Sequence, residues 1–153
     1  MSRRSVVHAS FTIERSYKAA PARVFAAWSE GKAKAAWFHG PEERSREPLE
    51  LDFRVGGRER AAGVSKDGTM HVYDAIYLDI APGERFILTY WMQIDGRLIS
   101  ASLQTVELAA AGAGTRLTFT EQAAFLDGYD DAGAREHGTR WLLDNLDRTL
   151  GET

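Results

Sequence analysis

From Leu49 to Gln122 the chain reads as a series of strand-length runs, each closed by a turn signal: "LELDFR" then "VGG", "RERAAGVS" then "KDG", "MHVYDAIYLDI" then "APGE", "RFILTYWMQI" then "DG", "LISASLQTVEL" then "AAAGAG", and last "TRLTFTEQ". Connections this short join antiparallel neighbours and leave no room for crossover helices, so about six successive strands must form a meander. An earlier run, Val7 to Tyr17, alternates apolar Val7, Ala9, Phe11 and Ile13 with polar His8, Ser10 and Thr12. It brings the expected sheet to about seven strands, one face of which needs an apolar cover.

The C-terminal segment supplies that cover. After Asp130 and Asp131, candidate caps with charge suited to a helix N-terminus, "AGAREHGTRWLLDNLDRTL" has helical spacing, with Thr139, Leu142, Leu143, Leu146 and Leu150 on one stripe and Gly151 suited to the C′ position. Gly133 and Gly138 weaken the first half of this helix by roughly 1 kcal/mol each relative to alanine. Between the first strand and the meander, Pro21 followed by Val24, Phe25 and Trp28 on one side predicts a short helix from Pro21 to Trp28. With Ser29 as N-cap, "EGKAKAAWF" predicts a second short helix closing near Phe38, stopped by Gly40 and Pro41. Strand, two short helices, meander and long helix together describe one α+β domain over residues 1–153.

Composition narrows the partner. A chain of 153 residues with 44% hydrophobic and 27% charged residues is globular, and a net charge of -3 spread over both signs provides no polybasic surface for nucleic acid or anionic membrane. A small molecule or another protein is the expected partner. The sequence has no cysteine, which excludes disulfides, thiolate nucleophiles and thiolate metal ligands and is compatible with a reducing cytoplasm. The start "MSRRSVVHASF" has a twin arginine, but its apolar stretch is short and Glu14, Arg15 and Lys18 follow, so it reads as the lead into a strand. No window approaches the roughly 20 apolar residues that span a bilayer, and the expected location is the cytoplasm.

Two motifs invite chemistry and resolve into turns. In "AWFHGPEERSREP" His39 precedes Glu42 and Glu43 at ligand-like spacing, but Gly40 and Pro41 interrupt any helix that would give the spacing meaning, so a turn is expected and no metal site. "VGG" at Val55 to Gly57 lacks the lysine and the strand-to-helix context of a phosphate loop and reads as a β-turn using positive φ. Strand parity is more informative: it groups Leu117, Phe119 and Glu121 on one face, Phe86, Leu88, Tyr90 and Met92 on one face, and carries Arg15 and Tyr17 inward with Phe11 and Ile13. An inward Arg15 would pair with an inward Glu121, since a lone buried charge is costly. For Tyr73, Tyr77, Ser102 and Gln104 the pattern does not choose a face. Trp141 falls off the leucine stripe, near His137, Asp144 and Arg148, and is either a dimer or partner contact or tucked under the "FLDGYD" loop.

The element order and several words of the sequence resemble the START-like, or SRPBCC, superfamily with its helix-grip fold. Within it the chain is similar to the single-domain bacterial proteins related to the activator of the heat-shock-protein-90 ATPase. The words are "ERSYKAAPARVFAAW", "WFHGPE", "DFRVGGRER", "YDAIYLDIAPGERFILTY", "GTRLTFTEQAAFLDG" and "GTRWLLDNLDRTL". The resemblance implies a sheet curved around the long C-terminal helix, with a cavity between them for an apolar or aromatic guest. On that expectation Trp37, Phe38 and His39 line the entrance, the inward residues of the strands form one wall, and Leu142 and Leu146 form the other. Superfamily relatives are described as polyketide cyclases, as lipid or hormone carriers, and as a chaperone activator.

Three readings follow. The first is a binding module for a small hydrophobic or aromatic molecule, with no cofactor. The second is a cyclase-, aromatase- or hydrolase-type enzyme with Glu121 as base, Arg15 as charge stabiliser and Tyr90 or His39 as proton donor. The third is a chaperone or stress-response interaction protein.

Overall fold

The computed structural model describes residues 4–40 and 43–151. The first strand, β1 (Val6–Tyr17), is followed by two short helices, α1 (Pro21–Ser29) and α2 (Gly31–Ala35). Then come seven strands, β2 (Glu43–Arg46), β3 (Glu50–Leu51), β4 (Arg58–Ser65), β5 (Met70–Ala81), β6 (Arg85–Ile94), β7 (Arg97–Ala111) and β8 (Gly114–Leu126), and a closing helix, α3 (Ala132–Gly151). The strands form one eight-stranded sheet in the order β1-β8-β7-β6-β5-β4-β2, with β3 beside β4. All pairings are antiparallel, and β1 forms one edge by pairing with β8 rather than with its sequence neighbour. This open sheet curved over a long helix is the helix-grip architecture.

The strand beyond the expected seven is β2, in a stretch read above as a turn. Ser45 and Arg46 pair with Val64 and Gly63. A polar edge strand is held by backbone hydrogen bonds on one side and has no apolar alternation to announce it. "LELDFR" in turn contributes only Glu50–Leu51, because Asp52 to Gly57 folds into a tight turn in which Gly57 N donates to Arg54 O at 2.7 Å. A Cβ at Gly57 would stand 2.0 Å from the Asp52 carbonyl oxygen, and Gly56 has φ +81°, so "VGG" is the turn its glycines indicate. Of the His39 motif, Pro41 and Glu42 lie outside the described residues and Glu43 opens β2. Ser29 ends α1 instead of capping α2, whose N-cap is Glu30, and α2 stops at Ala35, short of Phe38.

The inner face follows the parity of the strands. Ile13, Tyr17, Tyr73, Tyr77, Phe86, Leu88, Val106, Leu117 and Phe119 are buried in one core with Val24 and Trp28 of α1 and Leu143, Leu146 and Leu150 of α3. Four hydrogen bonds pin the second half of α3 to its surroundings. Tyr17 Oη donates to Leu143 O at 3.2 Å, Arg23 Nη1 to Leu150 O at 2.7 Å, Asn145 Nδ2 to Trp37 O at 3.1 Å, and Arg15 to the Asp144 carboxylate. At its start, Asp131 Oδ1 accepts the Ala134 amide at 2.9 Å, the side-chain cap its sequence position indicates.

The short helix α2 would be marginal alone. It is held by Lys34, which is fully buried and whose Nζ lies 2.9 and 2.7 Å from the two carboxylate oxygens of Glu59 on β4. Tyr77 Oη donates to Glu59 at 2.5 Å, and the ammonium sits 4.4 Å from the Phe38 ring centroid. Burial draws the Lys34 pKa below the ordinary lysine range, while the Glu59 carboxylate pulls it back up. Replacing one member of such a pair strands the other charge in an apolar interior, at about 3–5 kcal/mol. Lys34→Met should therefore lower the free energy of unfolding by about that amount in urea titrations, and the double variant Lys34→Met/Glu59→Gln should recover most of the loss. A single variant as stable as wild type would show that the pair does not hold α2.

Candidate functional site

Between α3 and the inner face of β4 to β8 lies a cavity of about 790 Å³. Its walls carry several aromatic side chains: Trp28 from α1, Trp37 and Phe38 from the segment after α2, Tyr73 from β5, Tyr90 from β6 and Trp141 from α3. The rings pack edge to face, as quadrupoles prefer, with Trp28 against Trp37 at 4.7 Å and Phe38 against Tyr73 at 5.0 Å between centroids.

The expected cavity residues divide into two groups. Trp37, Phe38, His39, Tyr90, Met92, Phe119 and Leu142 line the space. Phe86, Leu88, Leu117 and Leu146 instead belong to solid core, each 0% exposed. They do share the inner face, but α1 fills the room over that end of the sheet: Phe25 and Trp28 both pack on the Phe86 ring, at 6.1 and 5.4 Å. Parity assigns a face of a strand; it does not say which end of the strand a neighbouring helix will cover. Trp141 is half-buried at the cavity edge, its ring 5.9 Å from that of His39 at 73°.

At the α3 end of the cavity the structure assembles a polar network. Tyr90 is opposite Ser102 on β7, and Glu121 on β8 is opposite Gln104, one inward position along from Ser102, so three adjacent strands bring Tyr90, Ser102 and Glu121 together. Glu121 Oε2 accepts from Tyr90 Oη at 2.6 Å and from Ser102 Oγ at 2.8 Å, and Arg135 Nη1 stands 3.3 Å away. The same Arg135 donates to Tyr90 Oη at 2.9 Å, to Ser100 Oγ at 2.8 Å and to Asp130 Oδ2 at 2.9 Å. Its guanidinium also lies over the Phe125 and Tyr90 rings, at 5.3 and 5.7 Å.

The partner of Glu121 is thus Arg135, not Arg15. Arg15 stands opposite Leu117 in the β1–β8 register, and Glu121 is opposite Phe11, four residues or about 13 Å along the strand. Arg15 lies on the inner face with Ile13 and Tyr17 and reaches across to Asp144 on α3. The structure therefore does not bring Arg15 and Glu121 together. Glu121 itself is fully buried and is not part of the cavity wall; Tyr90, which is, stands in contact with it.

Arg135 escapes a reading from sequence because an arginine in the first turn of a helix is ordinarily solvated, yet it lies one turn before Thr139 on the stripe that Leu143, Leu146 and Leu150 continue. Carrying that stripe one turn further was the available signal. The four side chains whose face was open, Tyr73, Tyr77, Ser102 and Gln104, all turn inward and are buried. Tyr73 and Gln104 line the cavity. Tyr73 Oη and Trp28 Nε1 are buried with no hydrogen-bond partner among the described residues, so two cavity-lining side chains carry donors that the fold leaves unsatisfied. Among the described residues no group of His, Cys, Asp and Glu could hold a metal ion. Nor is any helix among them long and apolar enough to cross a membrane.

Fold and site define a START-like protein of the helix-grip class. The chain belongs to the family of activator of Hsp90 ATPase homolog 1-like proteins, whose model matches residues 18–151. Among solved structures it is similar to a protein from Rhizobium leguminosarum, at 48% identity over 99% of this chain and 100% of that one with a TM-score of 0.94. It is similar also to a protein from Rhizobium loti, at 43% identity over 95% and 99% of the two chains with a TM-score of 0.87. A protein from Chromobacterium violaceum, 24% identical over 92% and 96% of the two chains, shares the fold with a TM-score of 0.79. No curated protein matches the chain.

Two outcomes test this electrostatic reading. Arg135→Met should cost about 3–5 kcal/mol in unfolding free energy by stranding Glu121, and adding Glu121→Gln should restore much of it; additive losses would mean that the two residues are not coupled.

The second concerns pH. Tyr17, Tyr73, Tyr77 and Tyr90 all have pKa values pushed up, first by burial, and then by Glu59 at Tyr73 and Tyr77 and by Glu121 at Tyr90. A raised folded pKa gives stability that is complete below the unfolded value of about 10 and declines above it, because the unfolded tyrosines release protons that the folded ones keep. Each contributes a fall of about 1.4 kcal/mol per pH unit once its unfolded form is ionised. Lys34, with its pKa lowered, acts in the opposite sense, one group against four. Urea midpoints should therefore drop between pH 9 and pH 11; an unchanged midpoint would contradict the burial of these phenols.

Proposed function

We propose that the protein is a binding module for a small, uncharged, aromatic or otherwise apolar molecule held under α3. The observation that carries this reading is the cavity of about 790 Å³, which lies within the roughly 300–1,000 Å³ typical of small-molecule sites and combines aromatic side chains with polar and charged ones, Arg46, Glu47, Asp130 and Arg135 among them. Membership of the family supports a ligand-binding module in the same coarse sense.

Charge selects the kind of guest. Arg135 is the cation at the inner end, and it is already engaged by Glu121 and Asp130, two carboxylates against one guanidinium. A carboxylate ligand would meet no free positive charge there and would add a third negative one; a neutral guest meets no such penalty.

The test uses matched probes. Titrating the full chain with 1-naphthol, followed by quenching of the cavity tryptophans and by native mass spectrometry, should give saturable one-to-one binding, and 1-naphthoate should bind at least about tenfold more weakly, equivalent to about 1.4 kcal/mol. Tighter binding of the naphthoate would overturn the charge argument. Failure of both probes, and of a wider apolar library, to saturate would overturn the binding-module reading itself.

A further inference from the structure

We propose that Gly138 sets the size of molecule that the cavity admits, an inference that rests on the binding-module reading above. Glycine inside a helix costs stability relative to alanine, so its presence in the body of α3 needs a physical reason. Two physical reasons require glycine at several other positions of this chain, and neither applies here. The first is a backbone conformation closed to other residues, as at Gly56 and Gly128 with φ +81° and +73°; Gly138 is helical and is not among the positive-φ positions. The second is close approach of another backbone, as at Gly114, where a Cβ would stand 2.3 Å from the Tyr17 carbonyl oxygen; at Gly138 a Cβ meets nothing within 4 Å.

What a side chain at position 138 would occupy is cavity space, because Gly138 lines the cavity and is exposed at its mouth. The position falls in the stretch of α3 that bridges the opening. About one turn earlier the helix is fastened by Arg135 to Glu121 and Ser100, and about one and a half turns later by Leu143 O to Tyr17 and by Asp144 to Arg15. Just beyond Gly138, Trp141 forms one side of the mouth, its ring set against His39. A helix anchored on both sides of a glycine cannot swing aside for a large guest, so the missing side chain itself provides the clearance. A substituent there grows into the mouth and not into the packed core, which separates an effect on admission from an effect on folding.

The experiment compares wild type with Gly138→Ala, Gly138→Leu and, as a control on the same helix, His137→Leu, an exposed position outside the cavity wall. The probes are 1-naphthol and the bulkier neutral N-phenyl-1-naphthylamine, with circular dichroism and thermal melts alongside. Gly138→Ala should fold and melt about 2–4 °C higher, from the gain in helix propensity. Gly138→Leu should fold, bind the phenylnaphthylamine at least tenfold more weakly than wild type, and hold 1-naphthol within about threefold, while His137→Leu should bind both as wild type does. Equal binding of the bulky probe by Gly138→Leu and wild type would overturn the role of Gly138 and leave the cavity reading standing. Equal losses for both probes, or the same loss in His137→Leu, would also overturn it, since size would then not be what is sensed. If wild type binds neither probe, both proposals fall together.

Discussion

A buried guanidinium fixes the relation between helix and sheet. Arg135 enters the interior from the first turn of α3 and finds acceptors from three strands and the preceding loop: Tyr90 on β6, Ser100 on β7, Glu121 on β8 and Asp130. An ion held in this way tolerates little displacement, because each hydrogen bond lost leaves a charge or a polar group in a medium where it costs several kcal/mol. Apolar contact alone would let the helix slide toward the sheet and close the gap. The network is directional, and it holds the N-terminal half of α3 at the distance its side chains span.

The second buried ion pair does the same for the opposite wall. Lys34 and Glu59 join α2 to β4 beneath Phe38 and Tyr73, so the segment bearing Trp37, Phe38 and His39 is held over the sheet by a charge pair and not by a long helix of its own. Between these two fixed points the core is unequal. The end under α1 and the leucines of α3 is filled, with Phe86, Leu88, Leu117 and Leu146 fully buried, and the end under Gly138 and Trp141 stays open. The interior is thus solid at one end and open at the other, and the Arg135 network lies where the two meet.

Much of this was visible in residues alone. Hairpin-length turns forced a meander, the leucine stripe marked the covering helix, Asp131 marked its cap, and parity placed Phe119, Tyr90 and Glu121 inward. The misses share a cause. Arg135 and Lys34 are charged residues in helices, whose usual place is solvent, and their burial depends on partners distant in sequence, Glu121 and Glu59. The Arg15 to Glu121 pairing failed for a related reason: two residues on the correct face still need the correct register, which in β1 and β8 separates them by four positions. The edge strand β2 gave no signal because backbone pairing at a sheet edge asks nothing of side-chain polarity.

The sequence by itself determined the long strands, their antiparallel connectivity, the covering helix and the apolar face of β1, β6 and β8, because those follow from local chain stiffness, turn chemistry and periodicity within a few residues. Only the tertiary structure decided where the interior is solid and where it is hollow, which charges are buried, and with whom they pair. Those outcomes depend on the register of strands far apart in sequence and on which helix reaches which end of the sheet, and no local pattern carries that information.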